Sequence, residues 1–158
     1  MKSLIFLTKA FLFWMFFFFV QRLIFIGYNY NQLQTAPFAE ILKTLLFALH
    51  LDFSTACYFV FFSFLILVIS NFSSANWIIL ANKIIAFLLL LIALLICLSN
   101  ALLYKEWQSL ISKRALSFLS YPEEIMASLS IGYVLLSVLG IAFIQFMFYQ
   151  LWKKMNFI

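Results

Sequence analysis

The sequence predicts an all-α integral membrane protein: a bundle of four transmembrane helices with two further helices lying at the interface. Three observations lead there. Of the 158 residues, 67% are hydrophobic and 9% charged, against about 45–50% apolar and about 25% charged in soluble domains. Four apolar runs approach the ~20 residues that cross ~30 Å of hydrocarbon. The cations are scattered and mostly flank those runs, where they face lipid headgroups. This composition excludes a soluble globular domain, a disordered chain and a nucleic-acid module. The net charge of +5 reads as contact with anionic headgroups, so membrane lipids are expected partners and nucleic acid is not.

The first predicted span covers about 10–28 and contains Phe11, Phe13, Trp14 and the run from Phe16 to Phe19. Lys2 and Lys9 precede it as in a signal peptide, but apolar character resumes after Arg22 with no small-x-small cleavage site. An uncleaved signal-anchor helix follows from that pattern. The second span, 53–72, carries no charge; Asp52 marks its start and Asn71 its end. The third, about 84–104, has the aliphatic block from Ala86 to Ile96 between Lys83 and Lys105. The fourth, 131–151, holds Gly132, Gly140 and Gln145 and closes on Trp152-Lys153-Lys154, an aromatic at the interface and two cations in the headgroups. Gly140 is a candidate point of close helix approach, although no second small residue completes a GxxxG.

Two pieces are too short or too polar to span. Residues 37–50 open on Pro37, which suits a first helical turn. They place Glu40, Lys43 and Thr44 on one side and Leu42, Leu45, Leu46 and Leu49 over much of the rest, the pattern of a helix lying along the membrane. Residues 104–130 form the longest polar stretch, and Ser120-Tyr121-Pro122-Glu123 inside it is a capping-box start.

Four spans place both ends on one side. Lys2, Lys9, Lys83, Lys153 and Lys154 fall on the terminal side; Arg22, Lys43, Lys105, Lys113 and Arg114 fall opposite, and so do all five acids. The cation count is tied and the acids weigh little, but the net balance leaves the positive side with the termini, which are expected in the cytoplasm of a bacterial inner membrane.

Candidate site residues are few. Arg22 sits inside a span, six residues before Tyr28. Three roles are open to it: snorkelling to lipid phosphates, pairing with Asp52 at the same end, or recognising a lipid substrate. Lys113 and Arg114 could meet an anionic headgroup or form a solvated face. Gln145 and Cys97 read as packing polars. His50 is the single histidine and Cys57 and Cys97 lie apart in apolar runs, so neither a metal site nor a disulfide is expected. Gly27, Gly132 and Gly140, the three glycines, are spaced for neither a G-x-G-x-x-G nor a Walker loop.

The polar stretch is more specific. Leu103-Tyr104-Lys105-Glu106-Trp107-Gln108-Ser109-Leu110-Ile111-Ser112-Lys113-Arg114-Ala115-Leu116, followed by Phe118-Leu119-Ser120-Tyr121-Pro122-Glu123-Glu124, resembles part of the membrane domain of lipoteichoic-acid-synthase-like proteins of the sulfatase (alkaline phosphatase) superfamily, the type common in Bacteroidetes. Leu49-His50-Leu51-Asp52-Phe53-Ser54 resembles a second motif of that family, and Arg22 in the first span is a further similarity. Gln108, Ser112 and His50 stand where the family often has Gly, Asn and Arg.

The resemblance implies the membrane anchor of a phosphoglycerol or phosphoethanolamine transferase, which presents lipid to a catalytic domain. In such proteins the divalent metal and the nucleophile belong to that domain, so no cofactor and no catalytic residue are expected in this chain, and no catalysis by it alone. A truncated or split gene product is expected, with a separately encoded catalytic domain as partner. The rival is a stand-alone small membrane protein such as a transporter subunit or assembly scaffold. Against the rival, no pair of spans is interrupted by Gly or Pro in the transporter manner.

Overall fold

A computed structural model of the chain describes residues 2–34, 37–70, 72, 76–112 and 131–155. All its regular structure is helical: α1 (Lys2–Tyr28), the single turn α2 (Tyr30–Leu33), α3 (Phe38–Ser70), α4 (Asn76–Trp107) and α5 (Ile131–Lys154). Four of these helices are long and apolar enough to cross a membrane, so the all-α bundle expected from composition stands, and the protein is a multi-pass membrane protein.

The helices are longer than hydropathy alone suggested. Helix α1 begins at Lys2, because Leu4, Ile5 and Phe6 continue the apolar pattern ahead of Lys9. It ends where Asn29, fully buried, turns its side-chain amide back onto the Phe25 carbonyl (Nδ2 to O 3.1 Å). Helix α4 begins at Asn76, so Lys83 lies in its second turn and not at its start.

Helix α3 corrects the expectation of an interfacial helix at 37–50 separated from a span at 53–72. The 33 residues from Phe38 to Ser70 form one helix, about 50 Å long at ~1.5 Å per residue. Pro37 immediately precedes it, and the Pro37 carbonyl accepts from the Glu40 amide (2.8 Å). Nothing between His50 and Phe53 breaks it. Ser54 and Thr55 bond back to the carbonyls of His50 and Leu51 (3.1 and 2.8 Å), tying their hydroxyls into the helix. The expected boundary rested on Asp52 as a charge that must reach water. In the structure Asp52 is buried at 8% exposure and pairs with Arg22, so its charge no longer dictates where the span starts.

Helix α4 also runs past 104, to Trp107. It stops at Gln108, which has φ of 50°, the left-handed conformation common just after a helix. Residues 108–112 are not helical, so no single helix covers 104–130; residues 113–130, with Lys113, Arg114 and the capping-box pattern where the second interfacial helix is expected to start, lie outside the described residues.

The four long helices alternate in direction. Phe6 near the start of α1 meets Trp152 near the end of α5 (ring centroids 6.1 Å apart), so both termini stand at one end of the bundle. Helix α1 is central, against α3 and α4, while α5 packs mainly on α4. The buried face of α1 is Phe6, Ala10, Phe13, Trp14, Phe17 and Phe18, spaced three or four apart as helical periodicity requires. Around Trp14 and Phe17 gather Phe59, Phe148 and Trp152, with ring separations of 4.7 Å (Trp14–Phe59), 4.9 Å (Phe17–Phe148) and 5.7 Å (Trp14–Trp152). Large apolar side chains such as Phe47, Phe61, Leu136 and Phe143 are exposed on the outer faces. Asn29, Asp52, Ser63, Asn82 and Gln145 are buried, an arrangement suited to a hydrocarbon solvent. Gly140 has nothing within 4 Å of where a Cβ would stand, so it is not a point of close helix approach here.

Candidate functional site: an ion pair on the wall of a cleft

Arg22 and Asp52 come together from α1 and α3. The guanidinium grips the carboxylate with two bonds, Nε to Oδ2 and Nη2 to Oδ1, both 2.6 Å. Nη2 also donates to the Ala48 carbonyl one turn above (3.3 Å). The pair is bidentate, which fixes geometry as well as charge. Of the three roles open to Arg22, the structure places it in the ion pair; a fully extended snorkel toward the headgroups is not what it adopts. In hydrocarbon either charge alone would be costly, and together they are close to neutral.

The pair lies on the wall of a cleft of about 600 Å³ between α1, α3 and α4, at the end of the bundle away from the termini. That volume lies within the ~300–1,000 Å³ range of small-molecule sites. Phe18, Phe59 and Ile92 form its deep end; Gln21, Arg22, Asp52, Thr55, Ile96 and Cys97 ring its middle; Leu33, Glu40, Tyr104 and Leu110 surround its mouth. Along α4 the lining extends from Ile92 to Tyr104, about 18 Å at ~1.5 Å per residue, close to the ~15 Å of one hydrocarbon leaflet.

Most polar groups around the middle are already committed. Cys97 Sγ donates to the Gln21 carbonyl (3.7 Å), and Thr55 is bonded within its own helix. Asn100 Oδ1 accepts from the Ile111 amide (2.9 Å), holding the segment after α4 against the mouth. Gln21 Nε2 is sealed within the wall without a partner among the described residues. Arg22 differs: its side chain is 32% exposed, and Nη1 makes no hydrogen bond among the described residues.

Below Phe18 the aromatic core around Trp14 and Phe17 closes the bundle. A second polar group lies in that half: Ser63 Oγ donates to Asn82 Oδ1 (3.2 Å), joining α3 to α4. Gln145 Nε2 donates to the Phe87 carbonyl (2.8 Å), joining α5 to α4. These are packing contacts, as expected for Gln145, whereas Cys97 also lines the cleft. Cys57 and Cys97 are free thiols, Cys57 exposed on the outer face. No three of His, Cys, Asp and Glu gather among the described residues.

Sequence reasoning named the two charges of this site but missed its walls. A usable signal was present: Gln21, Cys97 and Asn100 fall on the inward stripes of their helices, beside the small Ala93. Comparison with family models, with curated proteins and with solved structures gives no match to this chain.

Proposed function

We propose that the chain is a lipid-holding membrane module, the membrane-anchor part of a sulfatase-type or lipoteichoic-acid-synthase-like phosphoglycerol or phosphoethanolamine transferase. In this reading it sits in a bacterial inner membrane with both termini in the cytoplasm. Its cleft then opens toward the outer leaflet, and the catalytic step belongs to a metal-dependent domain outside this chain. The cleft is the observation that supports it: about 600 Å³ of largely apolar space one leaflet deep, with an ion pair on its wall. A chain-shaped amphiphile fits that space. The aromatic core that closes its deep end counts against the rival reading of a through-going transporter path.

The reading is tested on the purified full chain in nanodiscs of mixed phosphatidylglycerol and phosphatidylethanolamine, by native mass spectrometry of retained lipid. Ile96 lines the cleft and is half exposed, so Ile96→Trp fills space without overpacking a core. Retained lipid drops at least threefold in Ile96→Trp if the cleft holds it; equal retention defeats the proposal. Reporter fusions after residue 158 and between 108 and 112 test the topology, and a C-terminus outside the cytoplasm reverses it.

A further inference from the structure

Resting on that reading, we infer that Arg22 identifies the lipid in the cleft by an ester carbonyl, not by its phosphate, through the uncommitted N–H groups of Nη1. Three observations converge on this.

The first is depth. Lys105 Nζ stands 5.6 Å from the centre of the Tyr28 ring, so the ends of α1 and α4 share one level, where a lysine ammonium meets headgroups. Arg22 lies six residues deeper in α1, about 9 Å at ~1.5 Å per residue. The headgroup zone on each side of a bilayer is only about 5–8 Å deep, and the glycerol esters mark its inner boundary. A lipid with its phosphate beside Lys105 therefore brings its ester carbonyls to the height of Arg22.

The second is charge. Both Asp52 oxygens are bonded to Arg22, so the pair offers no net positive charge. Glu40, at the mouth, adds a negative one. An anion at Arg22 would lose its water and gain no counter-charge. An uncharged acceptor meets a charge-assisted donor at far smaller desolvation cost.

The third is the shape on either side. Beneath Arg22 the lining continues to Phe18, Phe59 and Ile92, an apolar slot for the first part of an acyl chain. At Arg22's own height Thr55 and Cys97 have committed their hydrogens to backbone carbonyls and Gln21 Nε2 is sealed from the space, which leaves Nη1, on a side chain that is 32% exposed, as the donor there.

The experiment uses the full chain and two phosphatidylglycerols of equal chain length, one with ester and one with ether linkages, which have the same phosphate. An isoprenoid quinone, whose carbonyls could reach the same donor, is the third arm. Competition is read by native mass spectrometry. The wild-type chain retains the ester lipid about tenfold over the ether lipid, roughly 1.4 kcal/mol, and over the quinone. In Arg22→Lys, which keeps a cation for Asp52 but loses the guanidinium fork, the ester preference falls below twofold. Should that variant fail to fold, a red shift of the ester band of carbonyl-labelled lipid on binding the wild-type chain is the second readout. Equal retention of ester and ether lipid overturns the inference, as does a quinone that displaces the ester lipid or an unshifted ester band. If instead Ile96→Trp changes the retention of neither lipid, the lipid-holding proposal itself is what fails.

Discussion

The two ends of this bundle treat buried volume in opposite ways. Toward the termini, the space between α1, α3, α4 and α5 is filled by rings: Phe13, Trp14 and Phe17 from α1 meet Phe59, Phe148 and Trp152 at mostly edge-on angles. At the far end the same α1, α3 and α4 enclose a cleft with an ion pair on its wall. In a membrane, exclusion from water does not drive helices together, because lipid tails are as apolar as leucine. Close packing then has to hold the bundle, and the ring cluster supplies it. A bundle held firmly at one end can leave space open at the other. The contrast separates the part that keeps the fold from the part available to a ligand.

Breaking the ion pair tests the open end and carries the largest expected effect. Asp52→Leu leaves Arg22 charged and unpartnered inside a span, and Arg22→Leu strands Asp52 in the same way. Arg22→Leu lowers stability by about 3–5 kcal/mol, the cost of orphaning the buried Asp52 charge, and Asp52→Leu lowers it by less, since the Arg22 side chain is 32% exposed and free to snorkel. The double variant Arg22→Leu/Asp52→Leu removes both charges and recovers most of that loss. Reversible unfolding in mixed micelles measures all three. If the double variant is as unstable as either single one, the two residues do not act as a neutral pair.

The closed end responds differently. Phe17 is fully buried among Trp14, Phe18 and Phe148. Phe17→Ala opens a void there, and with lipid as the alternative surroundings the cavity dominates the loss, about 2 kcal/mol. Lipid retention should stay within twofold of wild type, since Phe17 does not line the cleft. Lipid lost in parallel with stability would erase the distinction between the two ends.

How much of this could be read from the chain follows from what a sequence displays. The spans were legible because ~20 apolar residues in a row have few other uses. The join between 37–50 and 53–72 was misread because Asp52 looks like a water-facing boundary when considered alone. Its partner is thirty residues away, and only the packing of α1 on α3 makes the charge tolerable inside. The division between phenylalanines that interlock, such as Phe13 and Phe17, and those that face outward, such as Phe47 and Phe61, is set by helix rotation and not by residue type. The cleft was illegible for a simpler reason. It is a volume between three helices, and no residue type announces a space that nothing fills.

Polar bonds within the closed end have a smaller effect. Ser63 and Asn82 are both buried and joined across α3 and α4. Interhelical hydrogen bonds in membranes average only about 0.6 kcal/mol, because the separated helices find other partners. Ser63→Ala should therefore cost about 0.6 kcal/mol in the same unfolding assay. A loss above about 2 kcal/mol would mean that this bond, and not the rings, holds the closed end.

The smallest effect lies at the rim of the open end and has the opposite sign. Gln108 ends α4 with φ of 50°, and its amide bonds the Tyr104 carbonyl (3.0 Å) to close the last turn. A side chain in that conformation meets its own backbone, at a cost of roughly 1 kcal/mol, which glycine escapes. Glycine also has more freedom to lose on folding, which cancels part of the gain. Gln108→Gly should thus stabilise the chain by about 0.5 kcal/mol. The same turn leads the chain back toward Asn100 at the cleft mouth, so the variant carries a second reading. If the glutamine only caps the helix, lipid retention is unchanged while stability rises. If retention falls although the helix end is better formed, the segment after α4, whose Leu110 lines the cleft mouth, helps to hold the lipid there.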